Sequence, residues 1–145
     1  MPESPLVSAT VCVRDGEDWV EDCLTSLLEQ THRPLEIIAV NDGSSDNTKS
    51  KLDTWFEKHS TGDVSIQIIH QDALGLSAGR MAAVEQSTGK WIAITDIDVR
   101  PEPDWIEQML LACKPIENES IAAVTGRTVF QAHDDVVSRF RAVEI

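Results

Sequence analysis

The chain has 145 residues and carries 25 Asp and Glu against 12 Lys and Arg, a formal net charge of −13. That length supports one domain with a real core and is too short for two ordinary ones. The charge argues against nucleic acid and anionic membrane as partners; a phosphate-bearing ligand would need a local cation, because two like unit charges in contact cost about 1 kcal/mol in water and about 4 at an intermediate dielectric.

Cys12, Cys23 and Cys113 are odd in number and lack zinc-site spacing, so they read as reduced core residues of a cytoplasmic protein. No apolar run approaches the roughly 18 to 20 residues of a membrane span, and Met1-Pro2-Glu3-Ser4 opens no leader. The expectation is a soluble, unexported domain, lying at the cytoplasmic face of the membrane if further segments of the protein place it there.

Val7 to Val13 is rich in β-branched residues and ends in the charged turn Arg14-Asp15-Gly16-Glu17-Asp18, which predicts a first strand. Trp19, Val20, Cys23, Leu24, Leu27 and Leu28 then share one helical stripe reaching about Gln30, before Pro34. Leu35 to Val40 is a second strand, followed by the turn-forming Asn41-Asp42-Gly43-Ser44-Ser45-Asp46. A helix at about 46–58 would bury Leu52, Trp55 and Phe56, and a third strand follows at about 65–70. Ser77 is the expected N-cap of a small-residue helix at about 78–86.

Trp91-Ile92-Ala93-Ile94-Thr95-Asp96-Ile97-Asp98 reads as a central, buried parallel strand that delivers two carboxylates to one face at its carboxyl end. Pro103 suits the first turn of a helix burying Trp105, Ile106, Met109, Leu110 and Cys113, and a last strand is expected at Ile121 to Thr125. Trp19, Trp55, Trp105 and Trp91 are expected in the core. A helical stripe from Asp134 breaks off at Ile145 with no cap or polar tail. That ending predicts a fold continuing past this chain and an uncovered apolar surface through which copies would associate.

Strands alternating with helices predict an α/β fold with a doubly wound, mostly parallel sheet. Asp15, Asp42, Asp96 and Asp98 all fall after strands, at the edge where such sheets bind ligands. Asp96 and Asp98 there can hold a divalent cation or a ribose hydroxyl; they can equally serve turns and caps, as can Asp15 and Asp42. Two classes fit: a nucleotide-sugar enzyme, or a receiver domain that takes phosphate on an Asp. A receiver would carry a Lys after its fifth strand, where Thr125-Gly126-Arg127 stands.

The segments 7–17, 23–31 and 35–46, with Gly75-Leu76-Ser77-Ala78-Gly79-Arg80 and Thr95-Asp96-Ile97-Asp98, together resemble family 2 glycosyltransferases over about 7–126. The resemblance implies a GT-A fold and inverting transfer from a nucleoside-diphosphate sugar, with UDP or GDP as the nucleotide, to a saccharide or lipid-linked acceptor. It implies that the Val13 to Asp15 loop lies along the nucleoside, that Asp42 accepts from the base, that Asp96 accepts from the ribose, and that Arg80 lies near the donor. Asp98 would ligate Mn²⁺ or Mg²⁺.

Cys12, Val13, Arg14, Asp15, Gly16 and Met81 depart from residues common in the family, which bears on the base contacts. No residue matches the family's general base. Residues 1–145 are accordingly expected to form one nucleotide-sugar-binding domain, with a donor-binding core at 7–126 and the start of the acceptor-side half at 127–145. The alternatives are a non-catalytic binding or interaction domain and a sugar nucleotidyltransferase, whose phosphate loop would need more than Arg14 and Gly16.

Overall fold

The computed structural model describes residues 4–113 and 123–127. The strand expected at Ile121 to Thr125 lies partly outside these residues, and the helix expected from Asp134 wholly outside them. The chain divides into two compact units, Met1–Gln108 and Met109–Ile145.

The first unit alternates strand and helix. β1 is Val7–Val13, α1 Val20–Leu28, β2 Leu35–Asp42, α2 Thr48–His59, β3 Ser65–Gln71, α3 Leu76–Gln86, β4 Trp91–Asp96, and α4 Trp105–Ala112 begins in this unit. The four strands form one parallel sheet in the order β3-β2-β1-β4. After β1 the chain winds outward through β2 and β3, then returns to the other side of β1 with β4. The reversal puts a switch point at the carboxyl ends of β1 and β4, where parallel α/β sheets open a crevice. In that register Cys12 pairs with Asp96.

Every residue of β1 and β2 is buried, as their β-branched runs predict for strands covered on both faces. β4 departs from expectation. Among the described residues it pairs only with β1, its burial alternates, and Ile92 and Ile94 are exposed. An apolar run fixes neither the number of neighbouring strands nor what covers each face of the strand. The strand also stops at Asp96, and Ile97 and Asp98 form a turn closed by Val99 N–H donating to the Asp96 carbonyl at 3.1 Å. Asp98 therefore does not continue the strand alternation.

α1 buries Val20, Cys23, Leu24 and Leu27. Trp19, expected in the core, precedes the helix and is 44% exposed. Trp55 is buried: its indole N–H donates to Thr25 Oγ1 at 3.3 Å, and its ring stacks on His59 with centroids 4.4 Å apart. α3 starts at Leu76 after Gly75, with no side-chain cap, so Ser77 is inside the helix and does not serve as its N-cap. The helix lies tight on the sheet because Gly79 faces Cys12; a Cβ there would overlap the sulfur. Pro103 precedes α4, where Ile106 is buried and Trp105 half-buried.

Two polar side chains fix the frame. Gln30, almost fully buried, donates to the carbonyls of Ser26 at 3.2 Å and Glu102 at 2.7 Å and accepts from the Ile106 N–H at 3.1 Å, tying α1 to the start of α4. Glu36 accepts from the Ser8 hydroxyl, from the Thr88 N–H and hydroxyl, and from the Gly89 N–H, pinning the α3–β4 turn to the far end of the sheet. No helix among the described residues is long and apolar enough to cross a membrane.

Candidate functional site

The loops after β1 and β2 are stitched together by carboxylates. Asp15, at φ 50°, donates its N–H to Ser44 Oγ at 3.0 Å and accepts from the Ser45 N–H at 2.6 Å and hydroxyl at 3.1 Å. The Ser45 N–H, more than any other group, holds the Asp15 carboxyl below its ordinary range. Nearby, Gly16 N–H donates to Thr48 Oγ1 at 2.9 Å and Glu17 N–H to Asp46 Oδ2 at 3.1 Å. Asp15 thus shapes the loop, the turn role open to it from sequence. Val13 is buried beneath Gly16, where an added Cβ would lie 2.7 Å from its Cγ2.

Asp42 ends β2 and is 1% exposed. Its Oδ1 accepts from Gln71 Nε2 at 2.7 Å and the Leu74 N–H at 2.9 Å, and its Oδ2 from the Gly75 N–H at 2.9 Å. These bonds, the Gln71 amide first, keep the carboxyl below its usual range. Asp42 thus holds the loop that leads into α3, and not the helix that follows it in sequence. An ionised carboxylate offers about four acceptor positions, so Oδ2 retains one. Gly43, at φ 63°, lets the β3–α3 loop approach, since a Cβ there would lie 2.5 Å from the Ala73 nitrogen.

At the switch point, Arg80 Nη2 donates to Asp96 Oδ1 at 2.7 Å, with 42% and 57% of the two side chains exposed. Arg80 on α3 reaches the end of β4 because Gly79 lets the helix sit down on β1. The neighbouring charges register on Cys12: burial raises its thiol pKa, Asp42 and Asp96 raise it further, and Arg80 opposes them. Beneath the turn, burial pushes Cys23 up to about 12, with the charges of Asp98 and Asp96 adding to it.

Asp98 is exposed and takes part in none of the hydrogen bonds or ion pairs among the described residues. Those residues contain no group of three or more His, Cys, Asp and Glu able to hold a metal ion. A single open carboxylate fits a hard cation that draws its other oxygens from phosphates and water, as Mg²⁺ usually does. The structure thus gathers Asp42, Arg80 and Asp96 near Cys12 and sets Asp98 just beyond, while Asp15 lies with Ser44 and Ser45. Gln71 escaped the sequence reading, although its register opposite Asp42 puts it in reach.

The family model for Glycosyl transferase family 2 matches residues 8–140. The chain belongs to that family. EpsH, a Bacillus subtilis protein that carries a glycosyltransferase name, is 41% identical to this glycosyltransferase chain over 108 residues, 74% of this chain and 30% of EpsH. The glucosyl-dolichyl phosphate glucuronosyltransferase of Haloferax volcanii is 32% identical over 127 residues, 85% of this chain and 38% of that protein. The chain thus spans about a third of the length of such relatives.

Among solved structures, the mannosyltransferase PcManGT of Pyrobaculum calidifontis, in complex with GDP-Man and Mn²⁺, superposes with a TM-score of 0.67 at 25% identity, over 80% of this chain and 33% of that one. S. aureus TarS 1-349 in complex with UDP shares the fold, with a TM-score of 0.60 at 20% identity over 87% of this chain and 38% of that one. The glycosyltransferase fold is GT-A.

Proposed function

We propose that this domain binds a nucleoside-diphosphate sugar, with UDP or GDP as the nucleotide, and a divalent cation, for inverting transfer of the sugar to a saccharide or lipid-linked acceptor. The observation that carries the reading is the pairing of Arg80 with Asp96 at the sheet's switch point, beside the open carboxylate of Asp98. The complex of PcManGT with GDP-Man and Mn²⁺ supports it.

In this reading the nucleoside lies across the carboxyl ends of β1 and β2. The Val13 to Asp15 main chain borders it, and the remaining acceptor position of Asp42 Oδ2 takes a ring N–H of the base. Asp96 accepts from the ribose hydroxyls through the oxygen that Arg80 leaves open. The planar guanidinium holds Asp96 in one orientation and adds positive charge where the chain is otherwise acidic. Asp98 would hold Mn²⁺ or Mg²⁺; when bound, the ion offsets the charge that builds on the departing diphosphate.

Residues 7–126 form the donor half and 127–145 begin the acceptor half. Transfer needs the acceptor hydroxyl deprotonated, an assistance of about 10² to 10⁴-fold that no assigned residue of this chain supplies. Donor binding without efficient turnover is the expected behaviour of residues 1–145 alone.

Calorimetric titration of UDP and GDP, with and without Mn²⁺, against wild type and Asp98→Ala tests this. Metal-dependent binding of one nucleotide that disappears in the variant is the expected result. Binding of neither nucleotide to folded protein rejects the donor site.

A further inference from the structure

One cluster near the β2–α2 loop is not used by the donor contacts above. His70, near the end of β3, has a side chain that is 28% exposed, and its Nε2 lies 2.7 Å from Asp53 Oδ1 on α2. Its Nδ1 lies 3.2 Å from Asn41 Nδ2, and Asn41 is buried at the end of β2. The other end of that amide, Oδ1, accepts from the Ser44 N–H at 3.2 Å. Ser44 Oγ then accepts from the Asp15 N–H at 3.0 Å. A run of hydrogen bonds thus connects α2, β3 and β2 to both loops that border the proposed nucleoside position.

Donor and acceptor roles along this run are fixed by chemistry. An ionised carboxylate only accepts, so Nε2 of His70 carries the proton facing Asp53. In the neutral ring Nδ1 is then an acceptor. It requires the amide nitrogen of Asn41, which turns the amide oxygen toward Ser44. Protonating Nδ1 sets two donors against each other. Flipping Asn41 cures that clash and creates another, because its NH₂ would then face the Ser44 N–H. Without the flip the His70–Asn41 bond is lost and Asn41 is no longer held from β3; with it the Asn41–Ser44 bond at the base of the loop is lost.

The charged groups that face the ring among the described residues are Asp53 and, through it, Lys49, whose Nζ lies 3.4 Å from Asp53 Oδ2; both are on α2. From β2 the ring meets the neutral Asn41.

We propose that His70 is a positioning residue: through Asn41 it sets the Ser44 turn and with it the nucleoside-facing loops, so that donor affinity follows the protonation state of His70. The affinity part rests on the donor-site reading above; the relay itself does not.

The ligand-free chain is examined first, by long-range proton–nitrogen spectra of the histidine rings and by following the Ser44 amide from about pH 8 to about pH 5.5, the range in which histidine charges. Neutral His70 should carry its proton on Nε2, and the Ser44 resonance should move with the His70 titration. In His70→Gln, which keeps a donor for Asp53 and an acceptor for Asn41, the Ser44 resonance should lose that movement. UDP and GDP, each with Mn²⁺, are then titrated over the same range. Nucleotide affinity should fall about three- to tenfold more in wild type than in His70→Gln on acidification, the size of one hydrogen bond. In Asn41→Asp both oxygens accept, an imidazolium is satisfied, and the acid loss should vanish or reverse.

A proton on Nδ1, or a Ser44 amide blind to His70, overturns the relay. Equal pH dependence in wild type and His70→Gln overturns its link to affinity. Absence of nucleotide binding at every pH overturns the donor-site reading, and the spectra still decide the relay.

Discussion

Arg80 and Asp96 meet at 2.7 Å across the switch point, from a helix and a strand 16 residues apart, with both side chains half in solvent. Exposed pairs of this kind contribute about 0 to 1 kcal/mol to stability. If the pair serves the donor instead of the fold, its loss should separate the two properties. Arg80→Ala is expected to leave the urea midpoint nearly unchanged and to weaken metal-dependent nucleotide binding by about tenfold or more, the size of a lost charge-assisted hydrogen bond. Arg80→Lys should recover only part, since an ammonium cannot reproduce the planar fork. Unaltered binding in Arg80→Ala would remove Arg80 from the donor site.

Gly43 and Gly75 both have positive φ but should respond differently to a methyl group. Gly75, at φ 97° and ψ 161°, lies in a region reserved for glycine, yet a Cβ there meets nothing within 4 Å. Gly75→Ala should cost about 1 to 3 kcal/mol through backbone strain alone. At Gly43 the φ of 63° is milder, but the added Cβ lies 2.5 Å from the Ala73 nitrogen and 2.9 Å from its Cα, and backbone atoms do not swing aside. Gly43→Ala should therefore be the more damaging of the two and should also weaken nucleotide binding, because it pushes the β3–α3 loop off Asp42. Chemical denaturation of both variants checks the order; a milder Gly43→Ala contradicts it.

These contrasts mark what the sequence discloses. β1, β2 and the stripe of α1 are legible because each is a local pattern: a β-branched run, or apolar residues at helical spacing. The D-x-D segment is legible as a motif, yet its geometry is not. The strand ends at Asp96 because the turn from Ile97 takes over, and nothing in the alternation of residues announces that. Ser77 looks like an N-cap by composition, while the carboxylate holding the approach to α3 is Asp42, which comes from another strand. Trp19 sits in phase with the α1 stripe but one residue too early to be covered. The clasps formed by Glu36, Gln30 and His70 join residues 17 to 76 positions apart, and they depend on a register no single sequence displays.

Glu36 makes stability depend on pH. Burial alone would raise its pKa, but the bonds from Ser8, Thr88 and Gly89 together carry it below its ordinary value. A carboxyl whose folded pKa is depressed gives its full contribution above the unfolded value, about 4.3, and loses it as pH falls through the folded value. Wild type should lose stability on acidification below about pH 4.3. Glu36→Gln should lose about 1 to 3 kcal/mol at neutral pH, because its NH₂ turns a donor toward donors, and should lack this acid-dependent component. Urea unfolding of both proteins at neutral and acid pH measures the difference; parallel pH curves would show that Glu36 is not its source.

The cysteines should differ sharply toward a thiol reagent. Cys12 and Cys23 are buried and their pKa values raised, Cys23 to about 12. Only a thiolate attacks, and at about pH 8 a group of that pKa is ionised in about one molecule in ten thousand even before access is considered. Cys113 is partly exposed, its thiol donating to the Met109 carbonyl at 3.3 Å. In native protein one equivalent of an aromatic disulfide reagent should react quickly, mapped by mass spectrometry to Cys113, and the other two thiols should react at the rate of unfolding. Urea should release all three together. Fast labelling of Cys12 in the native state would mean that α3 lifts from β1 at Gly79. Arg80 would then be too mobile to hold Asp96, and the donor site would form only when the nucleotide brings the helix down.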